Sequence, residues 1–216
     1  REQIFKAVEN AQTAGFSNIN LDLIYDTKFD TKKRLLAETE NLKSLAITHL
    51  SAYSLTLEEN TPFAGKKSYK KDSDSLAKFM IEQIGLAGFK QYEISNFGQI
   101  CKHNLGYWQG KNCLGVGAYS VGFVDGIRYY AKNSIDAYIL QPTYREKEIL
   151  NESELVREHI FLGLRSIVGV EAGRLSEAQI KRANILVENE KLLFKNGKFY
   201  NPNFLLSDEI ALFIEG

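Results

Sequence analysis

The chain has 216 residues, of which 44% are hydrophobic and 25% charged, a size and balance that suit one large soluble domain or a medium domain with a small companion. Lys and Arg number 27 against 27 Asp and Glu, which leaves no electrostatic footprint for nucleic acid or an anionic membrane surface. No apolar run nears the roughly 20 residues that span a bilayer, so an integral membrane protein is not expected, and the opening REQIFKAVEN reads as a charged amphipathic helix rather than a signal peptide. Two cysteines, Cys101 and Cys113, are too few for a disulfide framework or an iron–sulfur cluster, and they suit a reducing cytoplasm. The first residue is Arg1 rather than Met, so a longer parent chain is expected.

Ile4, Ala7, Val8 and Ala11 recur at helical spacing ahead of Gly15, and predict a first helix closed by that glycine. INLDLIY (19–25) predicts a strand, KKRLLAETENLKSLA (32–46) a helix with Leu35, Leu42 and Leu45 in its apolar set, and HLSAYSLT (49–56) a second strand. SDSLAKFMIEQIGLAGF (73–89) predicts a third helix with Ser73 or Ser75 as N-cap, and QYEISNF (91–97) a third strand. Such alternation predicts a parallel sheet clad by helices, with ligands at the C-terminal strand ends. Along INLDLIY, Ile19, Leu21, Leu23 and Tyr25 share the face that suits helices, while Asn20, Asp22 and Ile24 share the other. A carboxylate there needs water, a partner or a ligand, so Asp22 is open to a structural hydrogen bond or a ligand contact.

From Gly98 to about Tyr138 the periodicity fails, with glycines at 98, 106, 110, 115, 117, 122 and 126, and an aperiodic segment of that length points to function. Gly115 and Gly117 have G-x-G spacing, but Ser120 stands where a dinucleotide fingerprint wants its third glycine; close backbone approach is the expected use. A composition shift at Gln141–Pro142 marks the expected domain boundary. Beyond it come helices over 153–167 and 176–190, a hairpin LLFKNGKFY turning at Asn196-Gly197, and a last helix LSDEIALFI with Ser207 as N-cap. Helices followed by a small hairpin resemble a winged helix. Residues 141–216 hold 10 Lys+Arg and 12 Asp+Glu, a net of 10 − 12 = −2, which argues against nucleic acid and for docking or homodimerisation.

The stretch CKHNLGYW (101–108) gathers one of two cysteines, one of three histidines and the only Trp. Imidazole is a common ligand of metals and haem iron. In an extended loop Cys101 and His103 would point the same way, while His49 and His159 lie at no zinc spacing. Tyr107 and Trp108 offer flat faces for a planar ligand. On these residues alone, an aromatic pair closing a core edge, with His103 bonded to a backbone carbonyl, competes with a ligand site.

HNLGYW resembles the HN-x-x-YW motif of the HemW family, radical-SAM proteins related to oxygen-independent coproporphyrinogen III oxidase. GFSNINLDLIY resembles the family's GF-x-NI-x-LDLIY, HLSAYSLTLEENTPFA its HLSAYSLT-x-E-x-x-TPFA, and YEISNF recurs ahead of the HN motif. The resemblance runs over about residues 12–140 in unbroken order, and the tail is similar to the family's small C-terminal domain. It implies an α/β fold: the C-terminal portion of a radical-SAM partial (β/α)6 barrel over 1–140, then a small α+β, winged-helix-like domain over 141–216. It further implies S-adenosylmethionine contacts at Asp22, Ile24 and Thr56, and haem at His103, Asn104, Tyr107 and Trp108, with His103 the axial ligand to the haem iron. The implied function is a haem chaperone that hands haem to a haem-requiring respiratory enzyme, in the cytoplasm or at the inner face of the membrane. The alternative is oxidative decarboxylation of coproporphyrinogen III by the full-length protein.

Three departures qualify what carries over. The family's Cys-x-x-x-Cys-x-x-Cys motif for the [4Fe–4S] cluster is expected upstream of Arg1, so this chain alone is not expected to perform radical chemistry. The family's YGLPGQT reads YDTKFDT (25–31), and its GPGAHS reads GAYSVG (117–122), with Val121 in place of the histidine.

Overall fold

Two hydrophobic cores organise the chain, one within residues 1–100 and one within 101–216. The structure is a computed structural model and describes residues 2–59 and 61–216. In the first unit α1 (Glu2–Thr13), β1 (Asn20–Tyr25), α2 (Lys32–Lys43), β2 (His49–Ser54), α3 (Asp74–Leu86) and β3 (Asn96–Gly98) follow the expected order. Thr31 starts α2 by accepting the Arg34 N–H at 3.2 Å. Ser73 holds the N-cap position of α3 without capping it, because its hydroxyl pairs with that of Ser75.

β1 and β2 run parallel, with Asn20 opposite His49 and Asp22 opposite Ser51. Alternation sends Leu21, Leu23, Tyr25, Leu50 and Phe97 to the helix side, where they meet Leu35 and Leu42 of α2 and Leu76, Met80 and Ile84 of α3. Leu50, Met80 and Ile84 are fully buried, each contributing about 2–3 kcal/mol of apolar transfer. The expected first helix forms as α1, with Val8 buried and Ile4 half exposed.

The expected strand at 91–97 also needs correction. The chain doubles back there, with Tyr92 N–H donating to the Asn96 carbonyl at 3.1 Å and Gly98 N–H to that of Lys90 at 2.8 Å. The buried Glu93 carboxyl fastens the turn by accepting the Ser95 N–H at 3.2 Å. Only Asn96–Gly98 remains as strand, and it runs antiparallel to β2. Gly98 is required at its position: φ is +90°, and a Cβ would lie 2.5 Å from the Thr48 carbonyl oxygen.

The second unit begins with α4 (Lys102–Trp108), followed by β4 (Val121–Val124), β5 (Ile127–Tyr130), α5 (Ile135–Leu140) and β6 (Glu146–Ile149). These three strands form an antiparallel sheet in the order β4-β5-β6. The segment expected to be irregular is therefore ordered, and its hairpin turns at Asp125-Gly126, both at positive φ. Gly115 serves a close approach, as expected, and what approaches is the chain's own backbone: a Cβ would sit 2.7 Å from the Val121 carbonyl carbon. The composition shift at 141–142 falls between α5 and β6, inside this unit.

The unit continues with α6 (Glu152–Leu164), β7 (Val170–Glu171), α7 (Glu177–Glu188), β8 (Leu193–Lys195), β9 (Lys198–Tyr200) and α8 (Ser207–Glu215). Capping boxes at Asn151/Glu154 and Ser176/Gln179 start α6 and α7. β8 and β9 form the expected hairpin about Asn196-Gly197, and β7 adds antiparallel to β9. Ile160, Leu164, Val170, Phe199, Ile210 and Ile214 close the core. Ser207 is the first residue of α8 rather than its cap; its buried hydroxyl donates to the carbonyls of Leu164 and Phe204, at 3.0 and 2.6 Å.

Candidate functional site

The sheet of the first unit carries a polar face opposite its core. Strand pairing lines up Asp22, Ser51 and Asn96 in one row across three strands, with Asn20 and His49 paired in the next. Asp22 is exposed, and its Oδ1 accepts from Asn20 Nδ2 at 2.7 Å. Asn20 Oδ1 therefore faces His49 Nδ1, at 2.5 Å, as an acceptor. That fixes the tautomer: Nδ1 carries the proton and Nε2 accepts from the Tyr92 hydroxyl at 2.8 Å. Burial pushes the His49 pKa down against the opposing charge of Asp22, which suits this neutral ring. Burial likewise raises the Glu93 pKa, opposed by hydrogen bonds from Ser95 and Asn96. Asn96 Oδ1 is buried without a hydrogen-bond partner among the described residues.

Ile24, two residues along the same face from Asp22, is 60% exposed, and Thr56 is exposed just beyond the end of β2. Asp22 and Ile24 thus share an open surface; no hydrogen bond joins Thr56 to either among the described residues. His49, Ser51, Tyr92 and Asn96 are the members of this face that sequence reasoning missed. The period-2 rule applied to INLDLIY would have found His49 and Ser51 had it been applied to HLSAYSLT.

The departure YDTKFDT has a defined local structure. Asp26 takes a left-handed φ of +66° where the resembled family reads glycine. Its buried carboxylate accepts from Ser54 Oγ and from the Ser73 N–H, both at 3.1 Å, with Lys70 Nζ at 3.8 Å. Asp30 closes the same loop by accepting from the N–H and hydroxyl of Thr27, at 2.8 and 2.9 Å. Side-chain hydrogen bonds here do what glycine's conformational freedom does in a Gly-Pro turn.

In the second unit the HN-x-x-YW segment is helical, not an extended loop, and α4 packs against α6. Cys101 and His103, two apart at a helix start, therefore do not share a face. His103 and Tyr107, four apart, do: the Tyr107 hydroxyl lies 2.9 Å from His103 Nε2, and the rings meet edge to face with centroids 4.9 Å apart. Both are exposed, Tyr107 at 46%, while Asn104 and Trp108 are half-buried. His103 is thus bonded to a neighbouring side chain on an open helix face and not to a backbone carbonyl in a packed interior. No group of three His, Cys, Asp or Glu among the described residues is arranged to hold a metal ion, and no helix of the described residues is long and apolar enough to cross a membrane.

A solved structure of coproporphyrinogen III oxidase (HemN) from Escherichia coli, described as a radical SAM enzyme, matches 99% of this chain and 58% of its own with a TM-score of 0.75 at 14% identity. The shared fold is that of a partial α/β barrel followed by a C-terminal domain. No family model matches the sequence. Proteins named heme chaperone HemW are similar in sequence: that of Lactococcus lactis is 32% identical over 78% of this chain and 48% of the relative, and that of Bacillus subtilis 31% identical over 82% and 51%. The chain belongs to the HemW family. It spans about half the length of the curated relatives it matches.

Proposed function

We propose that this chain binds haem through α4, with His103 as axial ligand to the iron, and that it acts as a haem chaperone passing haem to a haem-requiring respiratory enzyme in the cytoplasm. The observation that carries this is the exposed His103–Tyr107 pair. A ligating imidazole commonly hydrogen-bonds through its second nitrogen, which fixes the ring and its tautomer. With Nε2–H donating to the Tyr107 oxygen at 2.9 Å, Nδ1 keeps the lone pair for iron. Tyr107 and the half-buried Trp108 give the macrocycle flat contact, and Asn104 borders the same helix. Haem supplies the redox-active iron; the chain's residues hold and shield it. A single axial ligand on an open face suits a carrier, which must also let go.

The polar face of β1–β3 fits S-adenosylmethionine. Asp22 and Asn96 Oδ1, which has no hydrogen-bond partner among the described residues, lie in one row with Ser51 and are acceptors for its hydroxyl and ammonium donors. Ile24 offers apolar contact, and Thr56 lies at the end of the neighbouring strand. The chain's two cysteines do not supply the thiolates a [4Fe–4S] cluster requires, and no step is drawn through one. The names of the relatives and the HN-x-x-YW segment favour the chaperone over coproporphyrinogen oxidation.

Haem titration followed at the Soret band tests the axial ligand. His103→Ala is expected to weaken binding at least tenfold and to shift the band, and Tyr107→Phe to weaken it about threefold. Identical titrations for wild type and His103→Ala would remove His103 from the iron.

A further inference from the structure

A cavity of about 180 Å³ opens in the second unit beside the C-terminal end of α4. Trp108, Phe123 and Leu155 supply apolar wall, and the charged lining is Lys111, Arg128, Arg174 and Glu158. Three cations against one carboxylate leave 3 − 1 = +2 in the lining. Arg128 is already committed, since it pairs with both Glu148 and Glu158. Lys111 and Arg174 are not: neither side chain has an ion pair or hydrogen bond among the described residues, and the Glu171 carboxylate that Arg174 senses is taken by Lys198 at 3.2 Å. The stem of Lys111 passes the bare Cα of Gly106, where an added Cβ would stand 3.8 Å from Lys111 Cδ.

The neutral wall of the cavity is also defined. His159 Nε2 accepts the Glu171 N–H at 2.8 Å, so Nδ1 bears the proton and remains a donor. Burial first, then the charge of Arg174, pushes the His159 pKa down to about 4, so the ring adds no charge near neutrality. An apolar wall with two uncommitted cations suits a carboxylate attached to something flat and greasy. Sites that engulf a drug-sized ligand occupy about 300–1,000 Å³, so a cavity of about 180 Å³ admits a side arm and not a ring system.

We propose that this cavity seats a carboxylate arm of the porphyrin, held by Lys111 and Arg174, while the ring lies against Tyr107 and Trp108. The assignment rests on the haem-binding function proposed above and names a second group the protein reads besides iron.

Trp108 is the only tryptophan, so its fluorescence, corrected for porphyrin absorbance, reports on this cavity. Metal-free protoporphyrin takes no axial ligand, so its titration is independent of the Soret test of His103. Quenching of Trp108 is expected, about tenfold weaker for protoporphyrin dimethyl ester than for the free diacid. Lys111→Gln with Arg174→Gln is expected to weaken diacid binding at least tenfold and to abolish the preference over the ester. Both side chains are exposed, and an unchanged melting transition confirms that the double variant folds. Equal affinity for diacid and diester, undiminished binding by the double variant, or no quenching in wild type would each overturn the assignment.

Discussion

Asp26 stands where the resembled family has glycine, and replacing it separates two forces that hold the loop beside Asp22. The position demands a left-handed backbone, φ +66°, and the buried carboxylate accepts two hydrogen bonds of 3.1 Å with Lys70 nearby. Asp26→Gly removes the bonds but frees the backbone; hydrogen bonds to a charged group contribute about 1.5–3 kcal/mol, so a loss of about 2 kcal/mol is expected. Asp26→Ala removes the same bonds and, unlike glycine, keeps a Cβ in the left-handed region without the local side-chain hydrogen bonding that lets aspartate sit there, ~1 kcal/mol more than the glycine variant, for a total of about 3 kcal/mol. Asp26→Asn keeps an acceptor and a side chain that tolerates this conformation, and about 1 kcal/mol is expected from its weaker bonds. Urea denaturation near neutral pH, with slopes compared among the variants, measures all three. The expected order of stability is wild type, Asn, Gly, Ala. Equal midpoints for Gly and Ala would show that backbone handedness does not constrain this loop, and equal midpoints for Asn and Ala that the side-chain bonds do not.

His159 predicts a pH dependence. Its folded pKa is lowered from 6.5 to about 4, so the unfolded chain binds the extra proton; the stabilisation is complete above about 6.5 and is lost as pH falls toward 4. At 1.36 kcal/mol per pH unit the ceiling is about 3 kcal/mol, and screening of this half-buried ring reduces it to roughly 1.5 kcal/mol. Between pH 7.5 and 4.5, wild type should lose that much more than His159→Gln in urea melts; parallel losses would refute it. Gly98→Ala should destabilise by about 2–4 kcal/mol, since left-handed strain adds to overlap with the Thr48 carbonyl. A wild-type midpoint for that variant would mean the β2–β3 contact yields easily.

Local physics made much of this protein legible before any coordinates. Leu35 and Leu42, and Leu76, Met80 and Ile84, repeat at helical spacing and do face a core. INLDLIY alternates, and its faces divide as the alternation requires. The Asn196-Gly197 turn follows from residues that accept positive φ. Asp125-Gly126, bounded by Val124 and Ile127, carried the same signal unread. α4 was harder, because seven residues with a glycine inside show less than two full turns of periodicity.

The sequence by itself determined α1 to α3 and α6 to α8, the β1 and β2 strands, the tail hairpin and the residue types able to meet iron or a cationic ligand, since each depends on neighbours within a turn or two. Only the tertiary structure decided the rest. The antiparallel β3 depends on a buried glutamate turning the chain. The His49 tautomer depends on Asn20 and Tyr92, 29 and 43 residues away. The cavity beside Trp108 draws Lys111 and Arg174 together across more than sixty positions by packing α4 on α6. Contacts of that range carry no period that the chain itself displays.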